Sequence, residues 1–388
     1  MSTRHLLACA VLTALAGAGH AQPVCSLGSH SISTGSDPIN HIRVALRPDG
    51  RPALAYTNDV PNASSLFFYD CDDGACSSGH VVTLDTSSNY FGAPGIVVRP
   101  DGRPAITAPY FGGLRYYDCA DADCGTFAQT DILPRGSAIG SDLPLALQIN
   151  GFPVLLYLDD VLGPRPNYLI AHFCSDAGCT SATEQVLDVP AGDGSEFSEL
   201  SLAVGSDGHP AATYLTSVGA SNSYVFDIAH CGDATCTSVT RTPLAGPLGV
   251  AFPFANGIAI RSDEKPLVLE TEPDGVALFD CSTVACDASS AYSLPAAAGG
   301  QPIGLQLLAD NPLFALFTAS TVGVFACSDA TCSAGSVTQT SSTATTIADA
   351  DFSLDTQARA AIAYIDADTR TLSAAGCLPN EIFGNGFE

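Results

Sequence analysis

RPDGRPA occupies Arg47–Ala53 and returns, letter for letter, at Arg99–Ala105. Asp-Gly between two apolar runs is a strong hairpin signal, because the favoured two-residue turn needs positive φ at both central positions. Looser copies follow at Asn150-Gly151-Phe152-Pro153, Asp207-Gly208-His209-Pro210, Asp263-Glu264-Lys265-Pro266 and Asp310-Asn311-Pro312, with a decayed one at Thr356-Gln357-Ala358-Arg359. The anchor turns therefore fall near 49, 101, 150, 207, 263, 310 and 356. Seven copies about 50 residues apart are the period of a solenoid or a propeller.

Each turn sits between short apolar runs, such as Ile42–Leu46 and Ala53–Tyr56, or Leu202–Val204 and Ala211–Leu215. A third run follows, as in Leu66–Tyr69 and Val225–Ala229, and ends at a cysteine; a fourth follows the next cysteine, as in Val81–Leu84. The unit reads as four antiparallel strands in a meander. Gly (36) and Pro (25) are frequent and no helical period of 3.6 shows, so the chain is read as all-β. The fold expected is a seven-bladed β-propeller of four-stranded antiparallel blades. A string of β-sandwiches fits less well, since about 50 residues are too few for one sandwich.

Six copies carry Cys-x4-Cys at the same place: Cys71 with Cys76, Cys119 with Cys124, Cys174 with Cys179, Cys231 with Cys236, Cys281 with Cys286 and Cys327 with Cys332. Isolated pairs at this spacing suit a disulfide across the hairpin better than a metal clip, which gathers four ligands. Each closes a very short loop and is worth about 2 kcal/mol in the chain-entropy model. Cys377 stands where a first cysteine belongs and Cys25 where a second belongs; Cys25-Ser26-Leu27-Gly28-Ser29-His30 also matches Cys76-Ser77-Ser78-Gly79-His80. The N-terminal segment is therefore expected to supply the outer strand of the last blade, and Cys25 with Cys377 a seventh disulfide, one per blade. Closure of this kind hides sheet edges that would otherwise invite pairing.

Gly205-Ser206-Asp207-Gly208-His209-Pro210 with Cys231-Gly232-Asp233-Ala234-Thr235-Cys236 resembles the repeats of exported, mostly uncharacterised bacterial proteins. The end, Ile382-Phe383-Gly384-Asn385-Gly386-Phe387-Glu388, is similar to a short tail on other exported proteins of gram-negative bacteria. The resemblance implies export and, for the tail, either sorting or packing on the last blade. It implies no activity.

The ends agree with export. Arg4 and His5, apolar Leu6–Ala18 and the small-x-small Gly19-His20-Ala21 read as a signal peptide over 1–21. The propeller then spans 22–379, with a tail over 380–388. The apolar run is shorter than the roughly 20 residues a spanning helix needs, so no membrane span is expected, and the location is secreted, periplasmic or cell-surface. With 40 Asp+Glu against 14 Lys+Arg the chain repels phosphate backbones, which argues against nucleic acid.

In such a meander one face carries the Asp-Gly turns and the cysteine loops (the turn face). The other carries the second-to-third connections and the links between blades (the loop face). The turn face holds Asp72, Asp73, Asp121, Asp123, Asp176, Asp233 and Asp329. Ca²⁺ favours such carboxylates, but no loop has a calcium loop's ligand count and Asp is a plain turn former; no cofactor is expected. The loop face is irregular, which is where function tends to sit on a rigid scaffold. Its candidate ligand-binding residues are Tyr90, Phe91, Tyr110, Phe111, Asp159, Asp160, Phe197, Phe252 and Phe254, since rings stack on sugars or peptides while carboxylates fix orientation. The competing reading of each ring is a plug between blades.

No Gly-x-Ser-x-Gly or His-Glu-x-x-His motif is present, and no catalytic residue is assigned. His172 and His230 stand just before the first cysteine of their blades and read as repeat residues. The leading expectation is an exported binding module for a glycan or protein on the loop face. The alternatives are a polysaccharide hydrolase or lyase sited in the central channel and a structural surface protein. Two carboxylates converging in the channel would favour the enzyme, and a flat aromatic face would favour binding.

Overall fold

The computed structural model describes residues 28–376 apart from 33–37, 59, 61–63, 87–89, 91, 112, 134–142, 160–167, 191–195, 219–222, 250–255, 273–274, 295–300, 318–320, 342–346, 356 and 358. The described residues form seven four-stranded antiparallel sheets and no helix. Blade 1 runs from its inner strand Ile39–Leu46 through Pro52–Asn58 and Leu66–Cys71 to the outer strand Gly79–Asp85. The inner strands of blades 2 to 6 are Gly95–Val98, Leu145–Leu147, Phe197–Val204, Asn256–Ile260 and Gln301–Leu308. Blade 7 takes three strands from the chain's end, Ile347–Leu354, Ala360–Asp366 and Leu372–Gly376. Its fourth comes from the beginning: Gly28–Ile32 pairs with it from Gly28↔Gly376 to Ile32↔Leu372. The ring is thus closed by the N-terminal strand, as the matching cysteine contexts predict.

Every Cys-x4-Cys pair forms its own disulfide. Cys71 bonds Cys76, Cys119 bonds Cys124 and Cys174 bonds Cys179 in blades 1 to 3. Cys231 bonds Cys236, Cys281 bonds Cys286 and Cys327 bonds Cys332 in blades 4 to 6. In each pair the second cysteine, namely Cys76, Cys124, Cys179, Cys236, Cys286 and Cys332, takes positive φ, which folds the loop back over the sulfur of the first. Cys25 and Cys377, the seventh pair expected, lie outside the described residues, so the disulfides described number one per blade for six blades.

The first RPDGRPA copy is not the two-residue turn expected for Asp-Gly. Gly50 N–H donates to Arg47 O at 2.8 Å and Arg47 N–H to Arg51 O at 3.0 Å. Gly50 alone takes positive φ, +88°. This is a type I turn followed by a left-handed residue. Pro48 explains it: its ring fixes φ near −65°, which suits the second turn position and forbids the mirror-image turn. Blade 6 has no such proline and does take the two-residue form, with Ala309 and Asp310 at φ +48° and +65°.

The arginines of the repeat have separate tasks. Arg51 stays at the surface and pairs with Asp49 at 2.8 Å. Arg47 is 1% exposed, pairs with buried Asp70 and donates through Nη2 to Ala122 O in the cysteine loop of blade 2. Arg99 repeats this with Asp118 at 2.7 Å and Ala177 O of blade 3 at 2.8 Å. RPDGRPA therefore shapes its own hairpin and staples it to the next blade.

Seven apolar clusters follow, each straddling one seam between neighbouring blades. Each blade thus buries both faces against others, which is why a blade is not an independent domain. The described residues contain no helix long and apolar enough to cross a membrane. The disulfides point to an extracellular or periplasmic setting.

Candidate functional site

All seven inner strands border one central cavity of about 750 Å³. Each inner strand is followed by its turn, so each runs from the loop face toward the turn face. Towards the turn face the wall carries Leu46, Val98, Leu147 and Leu202. Towards the loop face it carries His41, Arg43, Glu199, Asn256, Asp349 and Asp351. His41 and Asp349 sit at one height of the ring, five residues ahead of the strand ends Leu46 and Leu354 and opposite Thr57 and Ile365; Glu199 has the same count back from Val204 but lies in a bulge.

The blade 7/blade 1 seam is built by side chains. Alternate residues of a strand share a face, and here Asp349, Asp351 and Ser353 reach the free edge of the blade 1 inner strand. Ile42 N–H donates to Asp349 Oδ2 at 2.9 Å, Val44 N–H to Asp351 Oδ2 at 2.7 Å and Leu46 N–H to Ser353 Oγ at 3.1 Å. Arg43 Nη1 lies 3.1 Å from Asp349 Oδ2 and His41 Nδ1 3.5 Å. The two carboxyls are driven apart electrostatically. Desolvation acts to raise Asp349, but Arg43, His41 and the Ile42 amide outweigh it and hold the carboxyl below the usual range. Asp351 is pushed up to about 6, chiefly by desolvation inside the ring; Arg43 and the Val44 amide oppose this, and the Asp349 charge adds to it.

On blade 4, three blades away, Glu199 has φ +52°. Other non-glycine residues with positive φ lie in the cysteine loops or hairpin turns; this one lies in a channel wall. It sits in a bulge where pairing shifts between Ser198 and Ser201. Bulges re-aim side chains, and strain of this kind persists only where neighbours fix it. Asn256 of blade 5 does so: its Nδ2 donates to Glu199 O, and its Oδ1 accepts from Thr213 Oγ1 at 3.2 Å.

Among the described residues the loop-face candidates do not form an aromatic platform. Tyr90 is 3% exposed and packs in the blade 1/2 seam, with its hydroxyl donating to Asp85 at 2.8 Å. Phe197 is equally buried in the blade 3/4 seam, edge-on to Tyr214. Asp159 is buried. Tyr110 is half-buried with the Arg115 guanidinium 4.3 Å above its ring, and Phe111 beside it is 69% exposed. Tyr90 and Phe197 pack as plugs between blades, since burying a ring at a seam outweighs leaving it to water. Phe91, Asp160, Phe252 and Phe254 lie outside the described residues.

On the turn face the acids close their own loops. Asp73 Oδ1 accepts from Ala75 N–H and Ser77 N–H, and Asp176 from Thr180 N–H, each at 3.0 Å. Asp329 is drawn down to about 2, mainly by the Ser333 hydroxyl and amide. His172 and His230 are not equivalent: one precedes its cysteine by two residues, the other by one, so their side chains leave opposite faces of their strands. His172 meets Glu184 at 3.0 Å, while His230 lies beside His209. His172 also brings a nitrogen within 4.8 Å of the sulfurs of Cys174 and Cys179, which are bonded to each other and so are not free thiolate ligands.

The channel residues were legible in principle. Aligning the repeats on the turn puts His41, Asp142, Glu199 and Asp349 in one column, with Ala93, Ala255 and Pro302 in the other blades. Ionisable residues that recur in a column which other blades fill with Ala or Pro are the available signal.

No protein-family model matches the chain, and no curated protein matches it in sequence. Solved propellers match in shape. An α-L-arabinofuranosidase of Fusarium graminearum, in complex with arabinobiose, is 9% identical over 81% of this chain and 97% of its own, with a TM-score of 0.54. The polysaccharide lyase Uly1 is 7% identical over 89% of this chain and 90% of its own, with a TM-score of 0.56. The Dos1 propeller is 10% identical over 95% and 97%, with a TM-score of 0.53. At such identities the likeness speaks for the fold alone.

Proposed function

We propose that the protein is an exported carbohydrate-binding propeller whose ligand enters the central channel from the loop face. The observation that carries this is the polar collar of His41, Arg43, Glu199, Asn256, Asp349 and Asp351 at one end of the channel. Ligand sites are concave, roughly 300–1,000 Å³ in volume, with a few placed polar groups on a rigid frame, and a ring packed at every seam is such a frame. Two of the solved propellers of similar shape act on glycans by their names, which supports the choice of ligand class. The signal-like start and the disulfides support export. The collar shifts the expected site from the outer loops into the channel, with Phe111 left as an exposed ring on the same face.

The test is isothermal titration with arabinan, xylan and chitin oligosaccharides after an array screen. His41→Ala weakens binding by tenfold or more, whereas Phe111→Ala changes it little. Binding lost only with Phe111→Ala moves the site to the outer loops, and no glycan bound at all removes the carbohydrate reading.

A further inference from the structure

Resting on that reading, we infer that the channel also cleaves its ligand: Asp351 as proton donor and Glu199 as base, on opposite walls, hydrolyse a glycosidic bond near the end of a neutral glycan chain.

The geometry sets the pair apart from ordinary acidic surface. In a seven-membered ring, blades 4 and 7 are as far apart as two blades can be, and Glu199 and Asp351 border the same cavity. Glycoside hydrolysis takes two carboxyls flanking the scissile bond, and a sugar chain entering the collar would lie between these two walls. Glu199 is the one described wall residue whose backbone is held in a left-handed conformation without glycine, and Asn256 locks it there. An observed strain bordering a cavity points from structure to function.

Asp349 and Asp351 then take different tasks. Asp349 is paired with Arg43 and His41 and stays ionised, and its charge helps keep the proton on Asp351. Carboxyls pushed apart by their surroundings mark acid and base roles. In the step, Asp351 gives its proton to the glycosidic oxygen as the bond from that oxygen to the anomeric carbon breaks. A water oxygen bonds to the anomeric carbon and its proton passes to Glu199. One water is consumed, and the two carboxyls regain their starting states by exchange with solvent.

The wall also selects the substrate. Three carboxyls, Asp349, Asp351 and Glu199, line the wall with the Arg43 guanidinium in a chain of net charge −26. Uronate polymers are repelled. Elimination by a lyase acts on uronates, so the same charge balance favours hydrolysis.

The experiment measures reducing ends released from arabinan, xylan, chitin oligosaccharides and polygalacturonate, alongside binding to each. Wild-type protein is expected to cleave a neutral glycan it binds, with activity falling as pH rises through about 6, and to leave polygalacturonate intact. Glu199→Gln and Asp351→Asn each lose at least 100-fold in the rate measured with the glycan saturating, a loss larger than any they show in Kd, and circular dichroism shows both folded. Binding without any product overturns the inference and leaves the binding reading standing. Wild-type rates in Glu199→Gln, or preferred cleavage of polygalacturonate, overturn it too. No binding and no product removes both.

Discussion

The two faces of the ring obey different rules. On the turn face the blades share one set of devices: a tight turn, in blades 1 and 2 a buried arginine behind it, and a cysteine loop closed by its own side chains. At the loop-face end of the channel the blades differ, with His41 in blade 1, Glu199 in blade 4 and Asp349 in blade 7. Repetition belongs to the face that holds the ring together. Departure from it marks where the blades have been given separate tasks.

The largest effect should come from the turn face. Arg47→Ala strands the buried carboxylate of Asp70 and unhooks blade 2, so it should cost about 3–5 kcal/mol. Arg51→Ala, in the same RPDGRPA, removes a surface pair and should cost below about 1 kcal/mol. Urea unfolding of the two variants measures the contrast. Equal losses would mean that the turn, not the staple, is what the repeat preserves. Arg47→Met with Asp70→Leu should recover much of the loss, because replacing both members leaves no charge unpaired.

The next effect separates cross-link from strain. Cys76 takes φ +54°, and the second cysteines of the other five described disulfides lie between +49° and +55°. Cys71→Ser with Cys76→Ser should cost about 2 kcal/mol by loop closure. Cys71→Ser with Cys76→Gly should cost less by roughly 1 kcal/mol, since glycine enters the left-handed region freely. If both pairs of variants lose the same, the loop relaxes once the bond is gone.

This contrast also governs what could be read from the chain. Turn chemistry is local, so seven copies of a few residues disclosed seven blades. The cysteine contexts disclosed even the closing strand, because Cys25 and Cys377 each keep the neighbours of their position. The turn type departs from the expectation where local chemistry decides it: Pro48 forbids the form that Asp-Gly alone favours. The site was less legible for a physical reason. Tyr90 and Phe197 stand among polar loop residues in the sequence, yet they plug seams, and which ring faces water depends on the neighbouring blade. Glu199 and Asp351, about 150 residues apart along the chain, border one cavity only because the ring closes. Their trace in the sequence is a column of the repeat alignment rather than a motif.

Strain at Glu199 should respond to glycine in the same sense as strain at Cys76, but at the expense of activity. Glu199→Gly relieves the left-handed backbone and keeps the carbonyl that Asn256 binds, so it should raise stability by about 1 kcal/mol while abolishing cleavage. Calorimetry and the reducing-end assay read the two quantities on one sample. A stabilised variant without activity is the trade expected where a fold stores strain for function. A destabilised variant would assign Glu199 to holding the seam.

The smallest effects are in acid, and there the faces should move in opposite directions. Asp351 has a folded value of about 6, above its ordinary 3.8, with Arg43 and Asp349 the charged groups acting on it. A raised carboxyl contributes stability that is fully present below about pH 4 and lost as pH rises through about 6. Asp329 on the turn face is drawn down to about 2. Its contribution is present above about pH 4 and lost as pH falls through about 2. Melting temperatures between pH 2 and pH 8 should therefore show Asp351→Asn rising relative to the wild type from pH 4 to pH 7, because the amide stays neutral where the carboxyl must ionise. Asp329→Asn should fall relative to the wild type above pH 4 and converge with it near pH 2. Should Asp351→Asn track the wild type across that range, the carboxyl in the channel is as well solvated as those on the surface, and the electrostatic distinction between the two faces disappears.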